Sequence, residues 1–299
     1  MQKLFQLARP QMRGRGAIAC ASLFALFVPA ELRCDSYASS WAAGPTSELR
    51  LIAAGSGRSG RAYHAGVEIK LAPGAFTYWR TPGAAGIPPE FSFDGSENAA
   101  EVIVSYPAPV RIVEEGLDMF GYRGDVVFPL SVSPQDPDRP VRLKLTLTYG
   151  VCAKICLPGK GEAALTLTPV SAKGPAQGAD ASAINAADAL VPVRLSSEER
   201  NAKIIITRDV TARLPTWRLS LRKGAAQDLF AEAPNGWYFD TRPAGQPNEF
   251  AIVEVERPRG GGGKRPSVTL TLKNEPASYE FAVDLDTVSS GEPAAQPAP

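Results

Sequence analysis

The sequence predicts an all-β protein, with an immunoglobulin-like β-sandwich followed by a second, smaller β-rich domain. Short apolar runs recur along the 299 residues and are bounded by Pro, Gly, Asn or Asp, while long amphipathic helical patterns are hard to find. The clearest run, residues 141–149, alternates apolar or aromatic with polar side chains, which predicts a strand with one buried face. A content of 44% hydrophobic and 21% charged residues is typical of a globular chain with one large or two ordinary domains.

The predicted first domain covers residues 47–170. Turn sequences rich in Pro, Gly and Asp separate its strand signals. This pattern of short strands and turns favours an immunoglobulin-like sandwich, with a barrel as the alternative. The strand signals lie at residues 49–54, 63–71, 76–79, 101–106, 125–132, 141–149 and 163–167.

A second set of strand signals follows a segment rich in Ala, Gly, Ser and Asp. That segment, residues 171–189, predicts a linker, with a short helical piece within residues 181–190. Residues 190–286 then predict a second sandwich-like domain, and the Pro/Ala/Ser-rich residues 287–299 predict a disordered tail. The second set of strand signals lies at residues 203–207, 216–221, 236–240, 249–256, 267–272 and 279–285.

The N-terminus has the pattern of a secretory signal. Four basic residues, Lys3, Arg9, Arg13 and Arg15, precede an uncharged apolar run at residues 16–30, which is shorter than the roughly 20 residues of a membrane-spanning helix. We therefore expect residues 1–38 to be a signal peptide and leader, with a retained anchor as the alternative, and the protein to be periplasmic with no membrane span after cleavage. Removal of residues 1–30 leaves 28 basic against 31 acidic residues, a net charge of −3, which disfavours a nucleic-acid partner.

Two cysteines, Cys152 and Cys156, follow the clearest strand. Four steps along an extended strand cover roughly 13 Å, whereas the two Cα atoms of a disulfide lie about 4.4 to 6.8 Å apart. The spacing therefore predicts that the strand ends before Cys152, that the chain turns, and that Pro158 and Gly159 mark the exit of the turn.

The pair allows three interpretations. A structural disulfide that closes a loop of five residues would contribute about 2 kcal/mol to the free energy of unfolding. Zinc lacks ligands, since His64 is the one histidine and is expected to be structural, but copper(I) could be held by the two thiolates with Met119. A redox switch is favoured by Lys154 between the sulfurs and by the lack of a carboxylate in the motif. No cofactor is expected.

Several short motifs around the pair carry a resemblance to a known family. They occur in order at residues 66–69 (GVEI), 77–83 (TYWRTPG), 86–89 (GIPP), 95–98 (GSEN), 106–109 (YPAP), 121–122 (GY), 126–129 (VVFP) and 149–158 (YGVCAKICLP). This series resembles the periplasmic N-terminal domain of the DsbD/ScsB thiol:disulfide interchange proteins, over about residues 47–170. The second domain resembles the following region of ScsB-type proteins only loosely.

The resemblance implies a thiol:disulfide oxidoreductase. Its cysteine pair would accept electrons from a membrane-embedded donor of DsbD/ScsB type and pass them to periplasmic thioredoxin-like proteins, with Cys156 as nucleophile and Cys152 as resolving residue. The family caps its pair with aromatic residues, for which Tyr78, Trp79 and Tyr149 are candidates here, although core positions would explain them equally.

The chain departs from the full-length family pattern, because it has neither long apolar segments nor a C-x-x-C motif. Either another protein supplies the electrons, or the chain keeps the fold as a copper(I)- or partner-binding module with a structural disulfide. A passive scaffold with a stapled loop is the third alternative.

Overall fold

The structure is a computed structural model, and it describes residues 37–44, 46–56, 62–169, 180–258 and 264–290. All of these residues belong to one compact unit, Ser36–Pro299. The predicted signal peptide therefore lies outside the described residues, apart from its last two positions, Tyr37 and Ala38. Among the described residues, no helix has the length and apolar character needed to cross a membrane.

Up to residue 169, the described residues form eleven strands, and every pairing among them is antiparallel. They are β1 (Ala42–Ala43), β2 (Ser47–Ser56), β3 (Tyr63–Leu71), β4 (Phe76–Gly83), β5 (Glu90–Ser92), β6 (Ala99–Val104), β7 (Val110–Glu114), β8 (Leu117–Arg123), β9 (Val126–Pro134), β10 (Val141–Cys152) and β11 (Cys156–Leu167).

These strands form two sheets with a shared core. One sheet has the order β1-β2-β3-β9-β6; the other has the order β11-β10-β4-β8-β7, with β5 paired to β10. Leu51 and Phe128 from the first sheet and Trp79 and Leu145 from the second lie in one hydrophobic cluster. The alternating face of β10 supplies much of this core, as its sequence pattern predicts. We call this unit the first sandwich, and the prediction of an immunoglobulin-like sandwich is confirmed.

The second half of the chain forms a smaller pair of four-stranded sheets, the second sandwich. Their orders are β12-β19-β18-β15 and β13-β14-β17-β16. Trp217 and Phe250 from one sheet meet Leu270 and Phe281 from the other in a common core. The strands are β12 (Val193–Arg194), β13 (Ile204–Asp209), β14 (Thr216–Leu221), β15 (Asp228–Glu232), β16 (Tyr238–Ala244), β17 (Gln246–Glu256), β18 (Ser267–Lys273) and β19 (Tyr279–Asp284).

The described part of the chain has two helices after the first sandwich, α1 (Ala181–Asp188) and α2 (Ser197–Lys203), of which α2 lies between β12 and β13 of the second sandwich. Helix α1 is the helical piece expected within residues 181–190, and it packs against β2 and β9 through the fully buried Ile184. Its ends are tied to the first sandwich by an ion pair from Asp180 to Arg50 at 2.9 Å and by a contact between Asp188 Oδ2 and His64 Nε2 at 2.5 Å. His64 thus has a structural contact, and the second part of the predicted linker is docked onto the sandwich.

The predicted domain boundaries stay predictions, because both sandwiches lie in the same compact unit. At the C-terminus, Arg208 of β13 donates its backbone N–H to Ser289 O at 3.1 Å, so the first residues of the predicted tail pack onto the second sandwich. The rest of that tail, residues 291–299, lies outside the described part of the chain.

Candidate functional site

Cys152 and Cys156 close a β-hairpin. Cys152 is the last residue of β10 and Cys156 the first of β11, and the two are paired directly across the ladder as a disulfide with a Cα–Cα distance of 4.0 Å. The connection contains only Ala153, Lys154 and Ile155, and Ala153 donates its N–H to Ile155 O at 3.2 Å.

This geometry corrects the expectation that the strand ends before Cys152. The strand continues through Cys152, and the chain reverses between the two cysteines, so that they become neighbours across strands and no longer along one strand. Pro158 and Gly159 likewise do not mark an exit, because they lie inside β11 opposite Gly150 and Tyr149.

The two sulfurs have different surroundings. Cys152 is 1% exposed and belongs to a small apolar cluster on the outer face of the β10-β4-β8-β7 sheet, whereas Cys156 is exposed to solvent at the rim. The other members of this cluster are Phe76, Tyr78, Ile112 and Met119, all of them buried. An attacking group can therefore approach Cys156 directly, while Cys152 is reached only through the cluster.

The hydroxyl of Tyr78 lies among the sulfurs. It is 2.8 Å from Cys152 Sγ, 3.4 Å from Cys156 Sγ and 3.7 Å from Met119 Sδ. A disulfide sulfur carries no hydrogen, so the phenol is the donor in the oxidised state. Burial raises the pKa of Tyr78 above its ordinary value, which keeps the phenol neutral and able to donate.

Two glycines leave room for the Tyr78 ring. A Cβ at Gly150 would lie 2.9 Å from Tyr78 Cδ2, and a Cβ at Gly86 would overlap the opposite edge of the ring. Gly86 also has φ +138°, a conformation that other residues rarely adopt. Gly150 donates its N–H to Ile87 O at 3.1 Å, which fastens the segment between β4 and β5 over the ring. Tyr78 is thereby held in place between its own sheet and this segment.

The structure does not bring the other two aromatic candidates to the sulfurs. Trp79 is 1% exposed and points into the core of the first sandwich, where its ring centroid is 5.9 Å from that of Phe230. Tyr149 is in the same core, and its hydroxyl is 2.8 Å from Ser47 Oγ. Strand alternation explains this division, because Tyr78 and Trp79 are consecutive residues of β4 and face opposite sides. Lys154 lies exposed in the hairpin loop.

The sequence interpretation missed several residues of the site. Phe76 lies directly opposite Cys152 on β4, and the Arg123 guanidinium covers the Phe76 ring at 5.5 Å from its centroid. Ile112 comes from β7, which had no strand prediction; Met119, which the sequence named only as a possible copper(I) ligand, comes from β8, which had none either. The signal that could have found Phe76 is its i, i+2 relationship to Tyr78 on an already predicted strand.

The first sandwich, with the disulfide at its rim, is the part of the chain that a family model matches. Residues 50–168 match the model of the family described as "Thiol:disulfide interchange protein DsbD, N-terminal". The resemblance drawn from the sequence motifs is therefore confirmed.

A solved structure shares the fold over more of the chain. The crystal structure of the N-terminal periplasmic domain of ScsB from Proteus mirabilis has a TM-score of 0.64 and 22% sequence identity, and the likeness covers 85% of this chain and 99% of that chain. Since residues 50–168 make up less than half of the chain, the shared fold extends into the second sandwich. No curated protein matches the sequence.

Proposed function

We propose that this protein is a periplasmic thiol-disulfide interchange protein that relays electrons through Cys152 and Cys156. The observation that carries this proposal is the asymmetry of the disulfide, with an exposed Cys156 sulfur bonded to a Cys152 sulfur that is 1% exposed and contacts the Tyr78 hydroxyl. Exchange requires a thiolate to attack one sulfur nearly in line while the other leaves, and this arrangement offers one sulfur for each role.

In the reducing half of the cycle, a thiolate of the electron donor attacks Cys156 Sγ. The donor sulfur and Cys156 Sγ form a mixed disulfide, and the electron pair of the broken bond leaves with Cys152 Sγ as a thiolate. The Tyr78 phenol, 2.8 Å from that sulfur, stabilises the developing negative charge. A second thiolate of the donor then attacks the donor sulfur of the mixed disulfide and releases Cys156 as a thiolate, so that two electrons have been transferred.

In the oxidising half, the exposed Cys156 thiolate attacks a disulfide of the client protein. One client sulfur leaves as a thiolate and takes up a proton, and Cys156 is joined to the other client sulfur. Cys152 then attacks Cys156 Sγ, which restores the Cys152–Cys156 bond and releases the second client sulfur. Cys156 is thus the nucleophile and Cys152 the resolving residue, as the family resemblance implies.

The periplasmic location and the partners belong to the same proposal. They are supported by the pattern of a signal peptide at residues 1–38 and by the periplasmic origin stated for the ScsB domain of similar fold. The electron donor would be a membrane-embedded protein of DsbD/ScsB type and the clients would be thioredoxin-like proteins. The apolar side chains of Ile155 and Ile87, 68% and 40% exposed beside the disulfide, offer such partners a contact surface.

Trapping tests the proposal directly. Cys152→Ser removes the resolving sulfur that releases the client from Cys156, so expression of this variant in the periplasm should accumulate covalent Cys156–client complexes that dithiothreitol dissolves. Cys156→Ser is the matched control, because its remaining sulfur is buried and should trap little. Two empty traps, or a wild-type disulfide that stays oxidised to potentials below about −300 mV, would contradict exchange.

One observation favours copper(I) binding as a second candidate function. Met119 Sδ and both cysteine sulfurs surround the same Tyr78 hydroxyl, at 3.7, 2.8 and 3.4 Å, so the reduced site holds three soft ligands close together. Titration of the reduced protein with copper(I) against a competing chelator separates the candidates. Stoichiometric binding that weakens in both Met119→Leu and Cys152→Ser would support copper(I) binding as the function, whereas exchange needs no metal.

A further inference from the structure

We infer that the second sandwich positions the disulfide site, through Arg80 and Arg111 of the first sandwich. Each arginine is close in sequence to a residue of the apolar cluster beneath Cys152, and each is held by carboxylates of the second sandwich. This inference rests on the proposed exchange function and assigns to the second sandwich a part in it.

Arg111 fastens the floor of the site, which consists of Ile112 and Met119 in the apolar cluster with Cys152. Its guanidinium donates to Asp228 on β15 at 3.1 and 2.9 Å and to Thr241 O on β16 at 2.9 Å. The same group donates to Asp118 at 2.6 Å, on the neighbouring strand of its own hairpin. Ile112 and Met119, the floor residues, directly follow Arg111 and Asp118 in the sequence. The β7–β8 hairpin is therefore fixed to the second sandwich at the level of the floor.

Arg80 fastens the strand that carries Tyr78. It lies two residues further along β4, donates to both carboxylate oxygens of Glu232 at 2.9 and 2.6 Å, and forms an ion pair with Glu280 on β19. Thr81 adds a hydrogen bond to Glu232 at 2.8 Å. Burial would lower the pKa of Arg80, but the hydrogen bonds and charges of the two glutamates outweigh it and raise this pKa. The guanidinium is thus a fixed, fully charged anchor.

The strand β15 makes both attachments and has two different faces. Because side chains alternate along a strand, Asp228, Phe230 and Glu232 lie on one face and Leu229 and Ala231 on the other. Leu229 and Ala231 are in the core of the second sandwich, while Phe230 is fully buried in the core of the first. Between its two carboxylates, β15 therefore inserts an aromatic side chain into the neighbouring sandwich.

The insertion of Phe230 reaches the strands of the site. Its ring centroid is 5.0 Å from that of Phe120 on β8 and 5.9 Å from that of Trp79 on β4. Phe120 and Trp79 are the sequence neighbours of Met119 and Tyr78 on the opposite face of the sheet. A shift of β15 would consequently move β4, which carries Tyr78, and β8, which carries Met119, relative to the two cysteines on β10 and β11.

The test uses the full chain with substitutions that keep shape and remove charge. Asp228→Asn and Glu232→Gln should each slow reduction of the Cys152–Cys156 disulfide by dithiothreitol about tenfold, since a displaced phenol no longer stabilises the leaving thiolate. The matched control is Asp209→Asn, which breaks the pair with Arg218 at 3.1 Å on the other sheet of the second sandwich and should leave the rate unchanged. The equilibrium reduction potential is measured in parallel, because a purely structural attachment would leave it unmoved.

A milder variant covers the case in which a charge variant fails to fold. Phe230→Leu keeps an apolar side chain and should slow reduction while thermal unfolding stays cooperative. Reduction rates within twofold of wild type, together with an unchanged reduction potential, in the folded variants would overturn the inference while leaving exchange intact. A wild-type disulfide that dithiothreitol does not reduce would contradict the exchange function itself, so the two failures are distinguishable.

Discussion

Tyr78 and Cys152 lie on neighbouring strands, and the phenol of Tyr78 approaches Cys152 Sγ at 2.8 Å. Their backbone relationship makes this contact possible: Cys152 is paired with Phe76 on β4, and Tyr78 lies two residues further, on the same outer face. The chemistry proposed for the site follows from this pair, because a buried sulfur can leave as a thiolate only where a donor is at hand.

Tyr78→Phe removes the hydroxyl and keeps the ring. We expect reduction of the disulfide by a small dithiol to slow roughly 10- to 100-fold, the effect of losing one hydrogen bond to a charged group. Tyr149→Phe is the matched control, because its hydroxyl contacts Ser47 at 2.8 Å and no sulfur. The measurement is stopped-flow reduction followed by intrinsic fluorescence, and equal rates in both variants would exclude the proposed role of the phenol.

The two cysteines should react unequally with alkylating agents after reduction. Cys156 is exposed and Cys152 is 1% exposed, so iodoacetamide should modify Cys156 first. Peptide mass mapping at short reaction times gives the ratio, and unfolding in urea should abolish the difference. Preferential labelling of Cys152 would reverse the assignment of the nucleophile.

Gly150→Ala should disturb the site through Tyr78. The added methyl group would lie 2.9 Å from Tyr78 Cδ2, so the ring must move, at a cost of about 1 to 3 kcal/mol in the free energy of unfolding. Gly224→Ala is a useful comparison: φ is +80° with no atom near the new Cβ, which costs about 1 to 2 kcal/mol by backbone strain alone. Urea unfolding measures both losses, and only Gly150→Ala should also alter the rate of reduction.

The stability of the protein at high pH should depend partly on Tyr78. Burial raises the pKa of Tyr78 in the folded state above its ordinary value of 10.0, so folding favours the protonated phenol. This contribution is fully present below about pH 10 and is lost as the pH rises through the raised pKa of the folded state. Urea unfolding at a series of pH values should show a steeper loss above about pH 10 in wild type than in Tyr78→Phe. Parallel curves would contradict the assignment.

Phe230→Ala should uncouple the two sandwiches. The fully buried ring belongs to the core of the first sandwich although its strand is part of the second, and its loss should cost about 3 to 5 kcal/mol. Because the shared core joins the sandwiches, calorimetry of the wild type should give a single transition and the variant two. Two transitions already present in the wild type would show that the sandwiches unfold independently.

The sequence predicted the strands whose patterns are local. Residues 141–149 and 63–71 alternate or remain apolar over their whole length, and both occur as strands with these positions buried. The resemblance carried by short motifs likewise led to the correct family. Local pattern was sufficient wherever one face of a strand lies against one core.

The sequence did not predict the strands β7, β8 and β15, and the reason is physical. β15 faces two different cores, so Asp228, Leu229, Phe230, Ala231 and Glu232 show no simple alternation of apolar and polar residues. Likewise, the β7–β8 hairpin combines exposed apolar residues such as Val113 with a partly buried arginine, Arg111. Strands β7 and β8 carry residues of the site and β15 packs on the opposite face of their sheet, so their patterns make sense only once both sandwiches are in place.

The hairpin position of the disulfide has a consequence for how the protein would work over many cycles. The bond closes a ring of only five residues at the end of two paired twelve-residue strands, and chain entropy assigns to it about 2 kcal/mol. Opening the bond releases no length of chain and removes no strand pairing. The same paired strands therefore serve the oxidised and the reduced state, and under the proposed function each cycle would make and break one covalent bond while the fold stays intact.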